Sequence, residues 1–213
     1  MPAKLGLLLE STWRLHPDIC GYTSEVFYDG LLSPADGAAR QALTGPGILD
    51  GTGIRWMPVE HAGNRNSSAE EASRIAEVLA ELRAAGGTFA DSHGDLHPLS
   101  AADALVITPY NAQVREIARQ APGVRVGTVD KFQGQEAPIS ISSMATSSAD
   151  DAPRGMEFPY SLNRLNVASS RARCLALVIA SPELIRVQCR TPRQMRLANA
   201  LARLVEVGEK TPA

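Results

Sequence analysis

The chain has 213 residues, of which 44% are apolar and 21% are charged, and its formal net charge at pH 7 is −2. This length accommodates one substantial α/β domain with a sizeable core, and the composition is that of a soluble globular protein. A membrane-spanning helix would need an apolar run of ~18 residues, and the sequence has none. The short apolar run at residues 5–9 also lacks the length and cleavage site of a signal peptide.

The spacing of cysteine and histidine argues against disulfide and metal sites. Three widely spaced cysteines form no CxxC pair: Cys20, Cys174 and Cys189. This pattern fits reduced thiols in a cytoplasmic protein. His93 and His97 are four residues apart, but Gly94 and Pro98 disfavour a helix there. We therefore expect a loop without a metal at this position.

The first half of the chain predicts two helices and one strand. A helix over residues 17–29 begins at Pro17, which suits a first turn, and the Gly- and Pro-rich residues 33–53 predict a loop. Residues 54–60 predict a strand. The next helix has capping-box spacing from Ser68 and ends at Gly86. Its apolar stripe has helical periodicity and comprises Ile75, Val78, Leu79 and Leu82.

The second half predicts four strands and two helices. The strands are expected at residues 104–107, 124–129, 139–145 and 174–180, the last being an apolar run of the kind buried on both faces. A helix is expected to begin with Thr108 as N-cap and Pro109 as its first residue. A final amphipathic helix covers residues 191–207. The polar residues 146–160, which include Pro and Gly, predict an exposed loop.

The alternation of strands and helices predicts the fold class. It favours an α/β domain over residues 1–213, with a mostly parallel sheet and helices on both faces. The charge is uneven, because seven arginines and only one acid, Glu183, lie between Arg164 and Arg196. Such a stretch can face phosphates although the whole chain is acidic, or it can be a solvated basic face.

Four segments carry the remaining signal. They are WRLHP at Trp13–Pro17 with FYDG at Phe27–Gly30, ITPYNAQ at Ile107–Gln113, VGTVDKFQGQE at Val126–Glu136, and NRLNVASSRAR at Asn163–Arg173. In this order they resemble the motor motifs of superfamily 1 helicases, particularly the group of the up-frameshift RNA helicases and the DNA replication helicase-nucleases. The resemblance spans nearly the whole chain. It implies a RecA-like, P-loop NTPase-type fold and, within the motor, the second of its two domains.

The resemblance assigns one set of residues to ATP. Hydrolysis of a nucleoside triphosphate builds negative charge that fixed cations stabilise, and the planar fork of arginine suits a phosphate. Arg14 and Arg171 match the arginines that reach the γ-phosphate, and Glu136 matches a carboxylate at the ribose or near the phosphates. The assignment also includes Gln133 and Gly134, which shape a turn, and Arg164. The alternatives are that the arginines pair with loop carboxylates and that Glu136 lies at a helix end or in an ion pair.

A second set is assigned to single-stranded nucleic acid. The resemblance places Thr108, Pro109 and Thr128 near backbone phosphates, where hydroxyls at strand ends lie beside free N–H groups. Tyr110 is the aromatic residue expected near the groove. Thr108 could equally be a plain N-cap, and Tyr110 could simply pack over the helix start. Since aromatics make up only 5% of the chain, we expect salt-sensitive backbone binding, with DNA favoured over RNA.

Two departures from a complete motor stand out. The sequence has no GxxxxGK[ST] phosphate loop, and no Asp-Glu pair ends an apolar strand, since Asp150 and Asp151 follow polar residues. We therefore expect ATP to bind between this domain and a first RecA-like domain of the same parent chain. That first domain would hold the Mg²⁺ for the most part. The isolated chain should then lack ATPase activity. The last motif also has Ser169 and Ser170 where the family commonly has a bulkier residue and a threonine. This difference is mild, because serine keeps the hydroxyl.

Two other functions remain open. A degenerate, non-catalytic RecA-like module could bind nucleic acid or a protein without hydrolysis, although it would have no chemical reason to hold Arg14, Glu136 and Arg171 together. A stand-alone nucleotide-binding enzyme would need a Gly-rich phosphate loop after a strand, and none is present.

Overall fold

The continuous apolar run near the end of the chain forms an interior strand of a parallel sheet. The computed structural model describes residues 10–210, so the apolar run at residues 5–9 lies outside the described part. The strands are β1 (Ser11–Thr12), β2 (Ser33–Pro34), β3 (Ala42–Thr44), β4 (Gly53–Pro58), β5 (Thr88–Ala90), β6 (Leu96–Pro98), β7 (Ala104–Thr108), β8 (Arg125–Thr128), β9 (Ala137–Ser143) and β10 (Ala172–Ala180). The helices are α1 (Pro17–Phe27), α2 (Ala69–Ala85), α3 (Asn111–Gln120), α4 (Leu162–Ser170) and α5 (Pro192–Lys210).

The main sheet has five strands, all parallel, in the order β4–β10–β9–β7–β8. Helices α2 and α3 cover one face, where the largest apolar cluster lies, and α1, α4 and α5 cover the other. Nearly every residue of β10 is buried, as expected for a strand paired on both sides and covered on both faces. The predicted RecA-like α/β fold is thus confirmed.

Helix boundaries were predicted well where the chain carries its own capping residues. The Ser68 hydroxyl accepts a hydrogen bond from the Glu71 N–H at 3.1 Å, and Gly86 ends α2 with φ of 67°. Helix α1 begins at Pro17 but ends at Phe27, two residues early, because Asp29 adopts φ of 52°. Helix α5 extends to Lys210, three residues beyond the prediction.

The predicted start of α3 was wrong. Thr108 is the last residue of β7, where it pairs with Thr128 of β8, and the helix begins at Asn111 with Tyr110 as its N-cap. The hydrogen-bonded ladder with β8 therefore keeps Thr108 in an extended conformation. Pro109 links the strand to the helix and is not the first helical residue.

Three predicted loops need correction. Residues 33–53 contain the short strands β2 and β3, and His97 lies in β6, although no helix forms there, as expected. Strands β3, β5 and β6 form a small antiparallel sheet. These strands form because they pair with one another, although the local sequence of each does not indicate a strand. Residues 146–160 form neither helix nor strand, but they are not uniformly exposed. Tyr160 is fully buried and donates its hydroxyl hydrogen to the Leu184 carbonyl at 2.6 Å.

The topology brings different motifs to opposite edges of the main sheet. Glu136 precedes β9 and Arg171 precedes β10, so both lie at the amino edge. Thr128 ends β8 and Thr108 ends β7, so both lie at the carboxyl edge. Helix α4 connects the carboxyl end of β9 to the amino end of β10 and therefore runs between the two edges. No helix in the described part of the chain is long and apolar enough to cross a membrane.

Candidate functional site

A cleft of about 730 Å³ lies at the amino edge of the main sheet. Its lining comes from α1 and the segments on either side of it, from the segments before β9 and β10, and from α4. The polar and charged residues that line it include Arg14, Tyr28, Glu136, Asn166, Ser170 and Arg171. Three of the residues predicted to bind nucleotide, Arg14, Glu136 and Arg171, thus meet in one cleft although they are far apart in sequence.

Arg14 is held by partners from three segments. Its Nε donates to Oε2 of Glu136 at 2.5 Å, and its guanidinium also donates to the Ser170 carbonyl at 3.3 Å. The side-chain amide of Gln41 donates to the Arg14 carbonyl at 2.8 Å. The Arg14 side chain is 30% exposed and that of Glu136 is 42% exposed. The guanidinium therefore occupies a defined position and still faces the open cleft.

Arg171 lies directly after α4 and is half-buried. Its Nε is buried without a hydrogen-bond partner among the described residues. Burial and then the positive charge of Arg14 lower the pKa of Arg171, while Glu136 and Tyr28 oppose the shift. Because arginine stays protonated near neutral pH, the cleft holds two positive charges and one negative charge. Such a cleft favours an anion with several oxygen acceptors.

The other residues predicted to bind nucleotide lie elsewhere. Gln133 and Gly134 are exposed in a turn and do not line this cleft, although Gly134 has the expected positive φ, 78°. Arg164, near the start of α4, lies at the carboxyl edge with its guanidinium 4.0 Å from the centre of the Phe158 ring. The prediction that Arg164 binds nucleotide together with Arg14 and Arg171 therefore does not fit the position of Arg164 at the opposite edge of the sheet.

A second cleft, of about 370 Å³, lies at the carboxyl edge. It brings together three of the residues predicted to bind nucleic acid, Pro109, Tyr110 and Thr128. Tyr110 is only 8% exposed, accepts a hydrogen bond from the Thr146 hydroxyl at 3.4 Å and packs on Phe158 with ring centres 5.2 Å apart. Tyr110 thus packs against the protein, which is the alternative that its position in the sequence left open.

Thr108 does not reach this cleft. It is 1% exposed, and its hydroxyl is buried without a partner among residues 10–210. The expected phosphate contact of Thr108 is therefore not available in this conformation. Thr128, which is half-buried, keeps access to the cleft.

Several cleft residues were missed by the sequence analysis. Trp13 is 78% exposed at the amino-edge cleft, and its signal was its position directly before Arg14 in the first motif. Arg115, Arg154 and Phe158 line the carboxyl-edge cleft. For Arg154 and Phe158 no signal was available, because residues 146–160 have no periodicity.

A magnesium site does not fit the described residues. Mg²⁺ requires several oxygen ligands, but the carboxylate that lines the amino-edge cleft, Glu136, is already paired with Arg14. Within residues 10–210 no group of three or more His, Cys, Asp or Glu side chains is placed to hold a metal. The groups that the cleft offers to an anion are therefore its arginines.

Sequence comparison agrees with the fold. A family described as an AAA domain matches residues 3–183, which is most of the chain. Helicase sen1 of Schizosaccharomyces pombe is 30% identical over 197 residues, covering 84% of this chain and 11% of that protein. The DNA polymerase alpha-associated DNA helicase A of the same organism is 28% identical, covering 84% of this chain and 28% of that protein. The probable RNA helicase armi of Drosophila melanogaster is 36% identical over 91 residues, covering 38% of this chain and 8% of that protein.

The fold and the family match define a RecA-like domain of the helicase type. The chain belongs to the AAA-domain family that forms the C-terminal region of superfamily 1 helicases. It spans only about a tenth of the length of sen1.

Proposed function

We propose that this chain is the second motor domain of an ATP-dependent helicase or translocase and supplies arginines to an ATP site shared with a first RecA-like domain. The observation that carries the proposal is the convergence of Arg14 and Arg171 in one open cleft, where Nε of Arg171 has no partner within residues 10–210. A triphosphate carries enough oxygen acceptors to bind two fixed guanidiniums at once.

The arginines and the carboxylate of the amino-edge cleft would have different roles. Arg14 and Arg171 would donate to the γ-phosphate and stabilise the charge that develops as the phosphoryl group leaves. Glu136 can accept a hydrogen bond from a ribose hydroxyl, or hold Arg14 until a phosphate replaces it. ATP supplies the scissile phosphoanhydride bond, and the Mg²⁺ that accompanies it would be held by the first domain.

The first test concerns the incompleteness of the site. Because the sequence lacks a GxxxxGK[ST] phosphate loop, the isolated chain should not hydrolyse ATP above background. In a longer protein that carries the first domain, Arg171→Ala should lower the ATPase rate about a thousandfold or more while single-strand binding survives.

Arg119→Ala is the matched control, since Arg119 is an exposed arginine paired with Glu116 on α3. It should leave turnover unchanged. Robust ATP hydrolysis by the isolated chain that Arg171→Ala abolishes would contradict the view that this domain holds half of a site.

The proposed track is a single strand of nucleic acid bound at the carboxyl edge, near Thr128 and Pro109. The names of the relatives include both a DNA helicase and an RNA helicase, so they do not support the expected preference for DNA. Binding of DNA and RNA oligonucleotides of matched sequence to the chain decides between them.

The alternative of a degenerate, non-catalytic module gains no support. The geometry keeps Arg14, Glu136 and Arg171 together in an accessible cleft. A module without turnover would not require that arrangement.

A further inference from the structure

Three arginines from three segments converge on the carboxyl-edge cleft without carboxylate partners. Arg115 comes from α3, Arg154 from the 146–160 loop and Arg164 from α4, and all three line the cleft. Within residues 10–210 none of them forms an ion pair. Some other surface arginines do so, namely Arg74, Arg119, Arg186, Arg193 and Arg203, so the distinguishing feature of these three is that they line one cleft.

The acid that lines the same cleft, Asp130, does not neutralise them. No ion pair within 4 Å joins it to an arginine in the described part of the chain. The cleft therefore has an excess of positive charge that the domain itself does not balance, although the whole chain carries a net charge of −2. A local positive potential of this kind attracts an anionic ligand.

Phe158 fixes two of these guanidiniums. The central carbon of Arg164 lies 4.0 Å from the ring centre, and that of Arg154 lies 4.7 Å from it. Attraction between each cation and the ring offsets the mutual repulsion of two like charges and restricts the long side chains. Phe158 is itself packed against Tyr110, so the cluster is anchored to the start of α3.

The backbone beside the cluster adds hydrogen-bond donors. Tyr110 and Asn111, at the start of α3, line the cleft, and the N-cap side chain makes no capping hydrogen bond. The first N–H groups of a helix are available to an anion in such a position. Arginine forks and free N–H groups together match the oxygens of a phosphodiester.

We propose that Arg154, Phe158 and Arg164 form a clamp that binds a backbone phosphate of a nucleic-acid single strand. The proposal rests on the proposed function and extends it, because Arg154 and Phe158 lie in the 146–160 loop, outside all the helicase-like motifs. The phosphate is common to DNA and RNA, so the clamp contributes affinity without distinguishing the two.

The test measures the salt dependence of binding. Labelled DNA and RNA oligonucleotides of identical sequence are titrated with the 213-residue chain, and log K is followed against log salt concentration. Each phosphate contact on a single strand contributes a slope of about −0.7. Arg154→Ala should make the slope less steep by about that amount for both oligonucleotides, with a severalfold loss of affinity at low salt.

Two further variants separate charge from geometry. Arg154→Lys keeps the charge and should keep the slope, but its affinity should remain below that of the unmodified chain because it lacks the planar fork. Phe158→Leu keeps all the arginines, so it should weaken binding with little change in slope. Circular dichroism of each variant checks the fold. Arg119→Ala is the control and should match the unmodified chain.

The outcomes separate this proposal from the proposed function. If Arg154→Ala and Arg119→Ala have the same slope and affinity, the clamp is overturned while strand binding by the domain stands. If the unmodified chain binds neither oligonucleotide at low salt, the nucleic-acid part of the proposed function fails and the clamp fails with it. Binding of inorganic phosphate that Arg154→Ala abolishes, together with a slope of strand binding that Arg154→Ala leaves unchanged, would identify a small-anion site and overturn the strand contact.

Discussion

The pairing of Arg14 with Glu136 means that the phosphate we propose to bind Arg14 would compete with a carboxylate for the same guanidinium. We expect Glu136→Gln to tighten binding of tripolyphosphate to the isolated chain about two- to fivefold, since a partly exposed ion pair contributes up to about 1 kcal/mol. Calorimetry of tripolyphosphate and of ATP provides the measurement.

The comparison of the two ligands also tests the second role of Glu136. If its carboxylate accepts from ribose hydroxyls, Glu136→Gln should tighten tripolyphosphate but not ATP. Unchanged or weaker tripolyphosphate binding would show that Glu136 does not compete for Arg14.

His16 gives a pH-dependent contribution at the start of α1. Its Nδ1 accepts a hydrogen bond from the Asp18 N–H at 3.2 Å, which requires the unprotonated ring nitrogen. Burial lowers the pKa of His16, and the charge of Asp18 and the Ala39 backbone oppose the shift. The unfolded chain thus binds this proton more readily, so the stabilisation is present above the ordinary pKa and is lost as the pH falls from there through the lowered pKa of the folded state.

We expect the chain to lose more unfolding free energy than the His16→Asn variant when the pH falls from about 8 to about 5.5. Asparagine keeps a capping acceptor that does not titrate. Urea unfolding at both pH values measures the difference, and equal losses in the two proteins would rule out His16 as the titrating group.

At the scale of elements, a buried polar network joins α2 to the end of β9. Glu71 on α2 accepts from the Ser143 hydroxyl at 2.5 Å and from the Ala145 N–H at 2.9 Å, and Nε2 of His61 lies 2.9 Å from its other oxygen. The side chains of His61 and Glu71 are both 0% exposed. Ala145 adopts φ of 64°, so the network holds the chain in an uncommon conformation before the 146–160 loop.

Removing this carboxylate should be costly. Glu71→Ala leaves several buried groups without a partner, and we expect a loss of about 3 kcal/mol or more in unfolding free energy. Glu77→Ala, on the same helix, removes an exposed pair with Arg74 and a long, exposed hydrogen bond from the Ser73 hydroxyl and should cost less than about 1 kcal/mol. Equal midpoints of denaturant unfolding for the two variants would contradict a stabilising role for the network.

Elements were predictable where the local sequence decides them. Helix α2 carries its own cap, stripe and terminating glycine, and its bounds were confirmed. Helix α3 was misplaced because pairing of Thr108 with Thr128, a contact between segments twenty residues apart in the chain, overrides the capping signal. The strands β3, β5 and β6 have only three residues each, too few to show alternation.

The candidate site was also predictable from the motifs only in part. The motifs indicated Arg14, Glu136 and Arg171, which meet in one cleft. The motifs could not show that Arg164 lies at the opposite edge of the sheet from Arg171. That separation depends on the path of α4, which begins at the carboxyl edge with Arg164 and ends at the amino edge with Arg171. The position of Phe158 depends on how the irregular 146–160 loop packs on Tyr110, which the sequence pattern does not encode.

At the scale of the whole molecule, β10 contributes side chains to the apolar clusters on both faces of the main sheet. Leu177 points into the cluster under α2 and α3, whereas Ala176 and Val178 belong to the cluster on the opposite face. We expect Leu177→Ala to cost about 3 kcal/mol and to lower the urea midpoint of the whole chain in a single transition. Leu96→Ala, at a leucine that is 73% exposed, should change stability by less than about 0.5 kcal/mol. Two separate transitions in the Leu177→Ala protein would show that the faces unfold independently.

Helix α4 has nine residues and is therefore about 13 Å long, with Arg164 near its start and Arg171 directly after its end. If both clefts bind their proposed ligands, the helix that joins them is a candidate for coupling the two sites, and any such coupling is thermodynamically reciprocal. Any factor by which ATP changes the affinity for a strand must equal the factor by which the strand changes the affinity for ATP. Coupling through this helix would therefore have no direction, because each ligand would change the binding constant of the other by the same factor.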